Sequence, residues 1–253
     1  MSANDITITI WNANSLDRLT INTVTQSFTS SSLIFITETW LLPPLRLPTS
    51  WQQYHTYGLP VPNMRRGQIG ISLLINPDFP YPITPMPSSS PYVLSCQVAS
   101  TLIHCVYLPP TASLSDSYAL SVLRDFPMHR LPHQTNTIIC GDINARHNRL
   151  LGDTRTTVRG TMLYEWMIEY GLHCWNSVFA FGVHTHTKQR RKKLLASSGV
   201  GGSAADLHDP FLQVHSDITI NLDHHPVSLF LCSLSSSYPC RSSASSLVSF
   251  QIR

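Results

Sequence analysis

The amino-acid sequence predicts an α/β sandwich of packed β-sheets with helices on their outer faces. Three observations support this fold class. Short apolar runs of strand length recur along the chain and clearly outnumber segments of helical periodicity. The runs do not alternate regularly with helices, as the strands of a doubly wound parallel sheet would. With 253 residues, 42% of them hydrophobic, the chain can bury roughly 70–75% of the surface its unfolded form exposes, enough for one large core.

Residues 5–11 alternate, with Ile6, Ile8 and Ile10 on one face and threonines on the other, and run directly into Asn12. Residues 33–36 are apolar and end in Thr37-Glu38-Thr39-Trp40. Residues 69–75, next to a cluster of glycines at 67 and 70, form a third predicted strand. Six prolines and three consecutive serines mark 77–91 as a surface loop. Residues 92–100 and 101–108 read as two more strands, closed by Pro109-Pro110. A helix is expected over 115–128, opened by Ser115 and Asp116. Residues 137–140 form a strand that ends in Gly141-Asp142. Leu163, Trp166, Met167 and Tyr170 keep one helical stripe over 161–170, and Gly171 supplies a C-terminal stop. Further strands are expected near 173–176, 214–220 and 227–232. The 199–205 stretch is rich in Gly, Ala and Ser. Residues 1–232 are expected to form one domain, followed by a serine-rich tail over 233–253.

Charged residues make up 12% of the chain, about half the usual share. All three lysines fall in Lys188-Gln189-Arg190-Arg191-Lys192-Lys193, which holds five of the 17 basic residues. Outside that run the chain is slightly acidic, so net charge gives no argument for a nucleic-acid partner. The six cysteines lie singly, without zinc spacing, and four sit inside apolar runs, as small reduced hydrophobes do. No apolar run approaches the ~20 residues that cross a bilayer, and the first residues lack the pattern of a signal peptide. The expectation is a soluble, intracellular chain with no membrane partner.

Five apolar strands deliver polar residues at their C-terminal ends, and these residues are rich in oxygen donors: Asn12, Asn14, Glu38, Tyr107, Asp142 and Asn144, with Asp217, Asp223 and His224 further on. Carboxylates and amide carbonyls suit a hard cation such as Mg²⁺, with Mn²⁺ as an alternative. An aspartate beside a histidine can fix its tautomer and favour its charged form. Taken singly, each residue also fits a turn or a solvated strand end. Their order and spacing give them meaning together.

Ile10-Trp11-Asn12-Ala13-Asn14, Ile36-Thr37-Glu38-Thr39-Trp40, Val106-Tyr107-Leu108-Pro109-Pro110, Gly141-Asp142-Ile143-Asn144-Ala145-Arg146-His147 and Leu222-Asp223-His224-His225-Pro226-Val227 resemble, in order, the motifs of the endonuclease/exonuclease/phosphatase superfamily. Within it, Glu38-Thr39-Trp40, Tyr107-Leu108-Pro109-Pro110 and Gly141-Asp142-Ile143-Asn144-Ala145-Arg146-His147 most resemble the endonuclease domain of non-LTR retrotransposons. The resemblance implies a DNase I-like four-layer sandwich of two mostly antiparallel sheets. It implies that Glu38 is the principal metal ligand, with Asn12 and Asn14 beside it. Asp142 would polarise the attacking water, Asn144 would orient the water or the phosphate, and Tyr107 would donate to the phosphate. His224 would act as general base or stabilise the phosphorane, held by an acidic partner such as Asp223.

The sequence also departs from the pattern. Leu222 stands where the family carries a serine, and the family's aspartate on the preceding strand is matched only by Asp206, or less well by Asp217. Thr185 and Thr187 resemble a phosphate-proximal threonine of the family. The basic run, with Lys188, Arg190 and Arg191, reads equally as a DNA contact, a nuclear localisation signal or a solvated loop. The expected function is a Mg²⁺-dependent DNA-nicking endonuclease that leaves a 3′-hydroxyl. The alternatives are an abasic-site nuclease or phosphoesterase of the same superfamily, and a decayed nucleic-acid-binding remnant. In an intact element a reverse transcriptase domain would be the partner, and no Tyr/Phe-x-Asp-Asp polymerase motif occurs in this sequence.

Overall fold

The computed structural model describes residues 5–16, 18–126, 136–183, 201–202, 211–218 and 224–231. The chain begins with β1 (Ile6–Asn12), α1 (Arg18–Ser27) and β2 (Leu33–Thr37), followed by β3 (Gln52–Thr56), the short pair β4 (Leu59–Pro60) and β5 (Gly67–Gln68), and β6 (Ile71–Ile75). The second half starts with β7 (Ile83–Met86), β8 (Val93–Val98), β9 (Thr101–Tyr107), α2 (Asp116–Arg124) and β10 (Asn136–Asp142). Helices α3 (Asn148–Leu151), α4 (Val158–Glu169) and α5 (Trp175–Phe179) follow, then β11 (Gly201–Gly202), β12 (Phe211–Val214) and β13 (Val227–Leu231).

Two sheets hold most of these strands, in the orders β12-β13-β1-β2-β6-β3 and β11-β10-β9-β8-β7. Strand periodicity explains how they stack, because successive side chains point to opposite faces. Ile8 and Ile10 of β1, Leu33 and Phe35 of β2, Ile103 and Cys105 of β9, and Ile138 and Cys140 of β10 join one buried cluster between the sheets. The alternate residues Trp11, Ile34 and Ile36 pack outward against Ile21, Val24 and Phe28, on and just beyond α1. On the far side, Val106 and Ile139 pack against Val122 and Leu123 of α2 and Leu163, Trp166 and Met167 of α4. The result is helix, sheet, sheet, helix: the expected four-layer sandwich.

Most strand pairs are antiparallel, but each sheet contains one parallel pair, β1 with β2 and β9 with β10. Each parallel pair is bridged by one helix, α1 or α2, so one βαβ unit lies in each sheet. Parallel neighbours release their C-terminal ends at the same edge. That fact positions the site.

Several elements differ from the sequence expectation. The stretch over 77–91 is not wholly a loop: Ile83–Met86 forms β7, with Pro85 opposite Cys96. Proline is admissible there because β7 is an edge strand and its missing N–H breaks no inner ladder. Residues 175–179 form helix α5 rather than a strand near 173–176. The alternation of buried Leu172, Cys174 and Asn176 suggests a strand, but Trp175 and Ala180 are buried too, as a helix turning through the core requires. Strand β12 ends at Val214, where a strand was expected to begin. Strand β6 starts at Ile71 rather than residue 69, because Ile69 and Gly70 adopt left-handed backbone (φ 71° and 88°). Helix α2 opens as predicted, with the Ser115 hydroxyl accepting from the Tyr118 N–H. Cys96, Cys105, Cys140 and Cys174 are buried and free. Among the described residues, no helix is long and apolar enough to cross a membrane.

Candidate active site at the shared end of the two sheets

The inward-facing rows of the central strands end in polar residues. Following period 2, Ile8 and Ile10 lead to Asn12, Ile103 and Cys105 to Tyr107, and Ile138 and Cys140 to Asp142. Asp142 and Tyr107 are register partners across β9 and β10. Glu38 directly follows β2, next to Thr37, the register partner of Asn12. Strand β13 runs antiparallel to β1, with Val227 opposite Ile10, so the chain enters β13 from this same end. His224, three residues ahead of β13, is buried. The polar cluster therefore caps the core between the sheets.

Hydrogen bonds join the cluster across the sheets. Asn12 Nδ2 donates to Glu38 Oε1 and to Asp142 Oδ2, both at 2.8 Å. The Tyr107 hydroxyl donates to the same Glu38 oxygen at 2.8 Å. Glu38 and Asp142 are 6% and 1% exposed, so both carboxylates have lost nearly all their water. Two desolvated like charges are costly unless donors or a cation offset them.

The turns beyond β1 and β10 repeat one device. The Asn14 N–H donates to Asn12 Oδ1 at 2.9 Å, and the Asn144 N–H donates to Asp142 Oδ1 at 3.0 Å. Both donors lie in left-handed backbone (φ 44° and 52°), which asparagine tolerates. Glu38 and Trp40 are left-handed too, each with φ 54°. Such backbone in a bulky residue costs about 1–3 kcal/mol and persists where its surroundings over-determine it. Of eight non-glycine residues with positive φ among those described, five (Asn14, Ser15, Glu38, Trp40 and Asn144) lie in the three turns at this end. Gly141 (φ 128°) lets β10 approach β9 closely, since a Cβ there would collide with the Val106 carbonyl.

The sequence reading missed Arg159 as part of the site's support. It is 3% exposed at the start of α4 and pairs with Asp116 at 2.9 Å. Its guanidinium also donates to the carbonyls of Pro109, Leu114 and Ile143. Burial lowers its pKa, while Asp116, Asp142 and Tyr107 oppose that shift. A cation thus braces the loops that follow Tyr107 and Asp142. The signal was available: Arg159 precedes Leu163 by four residues and Trp166 by seven, on the apolar stripe.

The structure brings Asn12, Glu38, Tyr107 and Asp142 into one hydrogen-bonded cluster, with Asn144 at its half-buried rim. Asn144 Nδ2 donates to the Leu108 carbonyl at 2.9 Å. Asn14 is exposed and serves the turn through its backbone. Asn12 presents its amide nitrogen to the carboxylates, while its oxygen accepts from the Asn14 N–H, so in this arrangement it bridges two anions. Asp223, Thr185, Thr187, Lys188, Arg190, Arg191 and Asp206, the departure at Leu222 and the tail over 233–253 lie outside the described residues.

The donor set fits a hard divalent cation. Two dehydrated carboxylates share one bridging amide, and Mg²⁺ is held by one or two protein carboxylates while keeping several waters. Among the described residues no group of three or more His, Cys, Asp or Glu side chains forms a metal cluster. Two carboxylates meet the lower demand of Mg²⁺.

Solved structures of the same architecture include an AP endonuclease from Archaeoglobus fulgidus, at 14% identity and TM-score 0.67, covering 88% of this chain and 98% of that one. The 3′-5′ exonuclease NExo from Neisseria meningitidis matches at 17% identity and TM-score 0.67, with the same coverage. The endonuclease domain of TRAS1, a telomere-specific non-LTR retrotransposon, matches at 15% identity and TM-score 0.64, covering 91% of this chain and all of that domain. The sandwich is the DNase I-like fold that these structures share, and the matching family model places the chain in the endonuclease/exonuclease/phosphatase superfamily of nucleases and phosphoesterases. Comparison with curated protein sequences gives no match. Within the superfamily, the chain belongs to the endonuclease-reverse transcriptase family, which it matches over residues 101–227, half of its length.

Proposed function

We propose that this chain is a DNA-nicking endonuclease of the retrotransposon type, dependent on Mg²⁺ or Mn²⁺, that leaves a 3′-hydroxyl and a 5′-phosphate. The observation that carries this reading is the Asn12 bridge between Glu38 and Asp142, which sets two buried carboxylates side by side at the end of the sandwich. Glu38, with Asp142 beside it, would hold the cation, which supplies positive charge against the charge that builds on phosphate oxygens in the transition state.

The chain's own groups do the rest. Asp142, fixed through Oδ1 by the Asn144 N–H and through Oδ2 by Asn12 Nδ2, would orient the attacking water. The Tyr107 hydroxyl has one proton, which Glu38 accepts here; with a cation at that carboxylate it would turn that proton to the phosphate. Asn144 supports the same phosphate from the rim. His224 takes the proton from water or donates to a phosphorane oxygen. Water oxygen bonds to phosphorus, the bond from phosphorus to O3′ breaks, and O3′ gains a proton. Target DNA is the partner, and a reverse transcriptase domain would use the 3′-hydroxyl as primer.

End chemistry tests this reading. Nicked plasmid produced with Mg²⁺ should be extended directly by a DNA polymerase, as a 3′-hydroxyl requires. Nicks extended only after phosphatase treatment would contradict it. Cleavage confined to abasic duplex, or hydrolysis of soluble phosphoesters alone, would move the chain to the second reading, a repair-type nuclease or phosphoesterase using the same residues.

A further inference from the structure

A cleft of about 340 Å³ opens beside the candidate site, and Glu38 and Tyr107 line it as well as the site. Its other walls include Trp40, Met64, Arg66 and Tyr92. Trp40 is half-buried, with its backbone clamped by bonds from its N–H to the Ile69 carbonyl (2.9 Å) and from the Gly67 N–H to its own carbonyl (3.0 Å). The Arg66 guanidinium lies 4.3 Å from the centre of the indole ring. Among the described residues no carboxylate pairs with Arg66, so an exposed cation rests on an aromatic face in a cleft that Glu38 also lines. Met64 is 58% exposed on the same loop.

We infer that this cleft is a subsite for one unpaired nucleobase next to the scissile phosphate, with Trp40 as its stacking platform and Arg66 released to the neighbouring phosphate. The inference rests on the endonuclease reading and deepens it by naming the substrate class: DNA whose flanking nucleotide is single-stranded or readily unstacked. Size supports this choice. The cleft stands at the low end of volumes that hold small ligands, which suits one nucleoside and excludes a base pair. Chemistry supports it too. A flat apolar ring, a mobile thioether and a guanidinium recognise a planar base with an anionic tether, and every base offers a face for stacking. Extruding a base from a duplex costs stacking, so an already unpaired one is favoured. The basic run over 188–193 is not needed.

The test is equilibrium binding in EDTA, which stops cleavage, of a fluorescent single-stranded deoxyoligonucleotide and of a base-free strand of equal length. Wild-type protein should prefer the strand with bases by about ten-fold or more. Trp40→Ala should bring that ratio close to one, and Trp40→Phe should keep most of it. If Trp40→Ala fails to fold, Met64→Glu decides instead: its site is exposed, and a carboxylate in the cleft should also collapse the ratio. A wild-type ratio near one, a ratio that survives Trp40→Ala, or equal weakening on both strands overturns the inference. Plasmid nicking is scored separately. Nicking with an unchanged binding ratio sinks the subsite alone, and a Trp40-dependent ratio without nicking sinks the endonuclease reading alone.

Discussion

The Tyr107 hydroxyl donates to Oε1 of Glu38 at 2.8 Å, and this bond joins the end of β9 in one sheet to the turn after β2 in the other. The same oxygen accepts Asn12 Nδ2, so three residues separated widely in sequence converge on one atom. The sandwich achieves this because both βαβ units release their polar ends on the same side.

Removing that hydroxyl should cost both activity and stability. Tyr107→Phe loses one hydrogen bond to a charged group, about 1.5–3 kcal/mol at most, and the ring stays packed in the core. Nicking should fall by about 10²-fold, the usual effect of removing one oriented donor. Urea unfolding and plasmid assays on the same preparation check both numbers.

Asn12→Asp places a third carboxylate within 2.8 Å contact of two others. In EDTA its melting temperature should drop by about 5–10 °C, at roughly 2–4 °C per kcal/mol for a chain of this size. Added Mg²⁺ should recover most of the loss and raise the variant's melting temperature more than that of wild type, because ligand binding to the folded state stabilises it. Calorimetry with and without metal reads this directly. No recovery would place the cation elsewhere.

Arg159→Lys should not behave as a conservative change. The guanidinium serves Asp116 and three carbonyls at once, a fork that an ammonium cannot reproduce. Arg159→Met, which strands Asp116, should cost about 3–5 kcal/mol, with Arg159→Lys part of the way there. Thermal unfolding orders the two variants.

How much of this was legible in the sequence follows from physical scale. The strand ends at Asn12, Glu38, Tyr107 and Asp142 were visible because apolar alternation stops abruptly at a polar residue. Their partnership was not, since Asn12 and Asp142 lie 130 positions apart and no local pattern encodes which amide atom faces a carboxylate. Strand β7 was hidden by Pro85 and the prolines around it, which mark loops in isolation and edge strands only once a neighbour is known. Arg159 was hidden by its charge, although it occupies a core position of α4. Trp40 looked like the polar end of a strand, and only its cleft and the Arg66 contact give it a role.

Acid should destabilise the fold through its buried histidines. His104 is 2% exposed, bonded through Nδ1 to Ser95 and stacked on Phe126, and burial lowers its pKa to about 4. The unfolded chain, with the ordinary value of 6.5, binds a proton that the folded form refuses. The contribution is therefore fully present above pH 6.5 and is lost as pH falls from 6.5 to about 4, up to about 3 kcal/mol. His55, half-buried beside Arg46 and also lowered to about 4, adds a smaller share because solvent screens it. His104→Phe should flatten the stability profile in that window, as urea midpoints at successive pH values would show.

The most direct test of the central claim is nicking of supercoiled plasmid by wild type, Glu38→Ala and Asp142→Ala in a Mg²⁺ titration. The account predicts metal-dependent nicking by wild type and a loss of about 10³-fold or more in each folded variant. Nicking that persists in both variants, or that proceeds equally in EDTA, would contradict it.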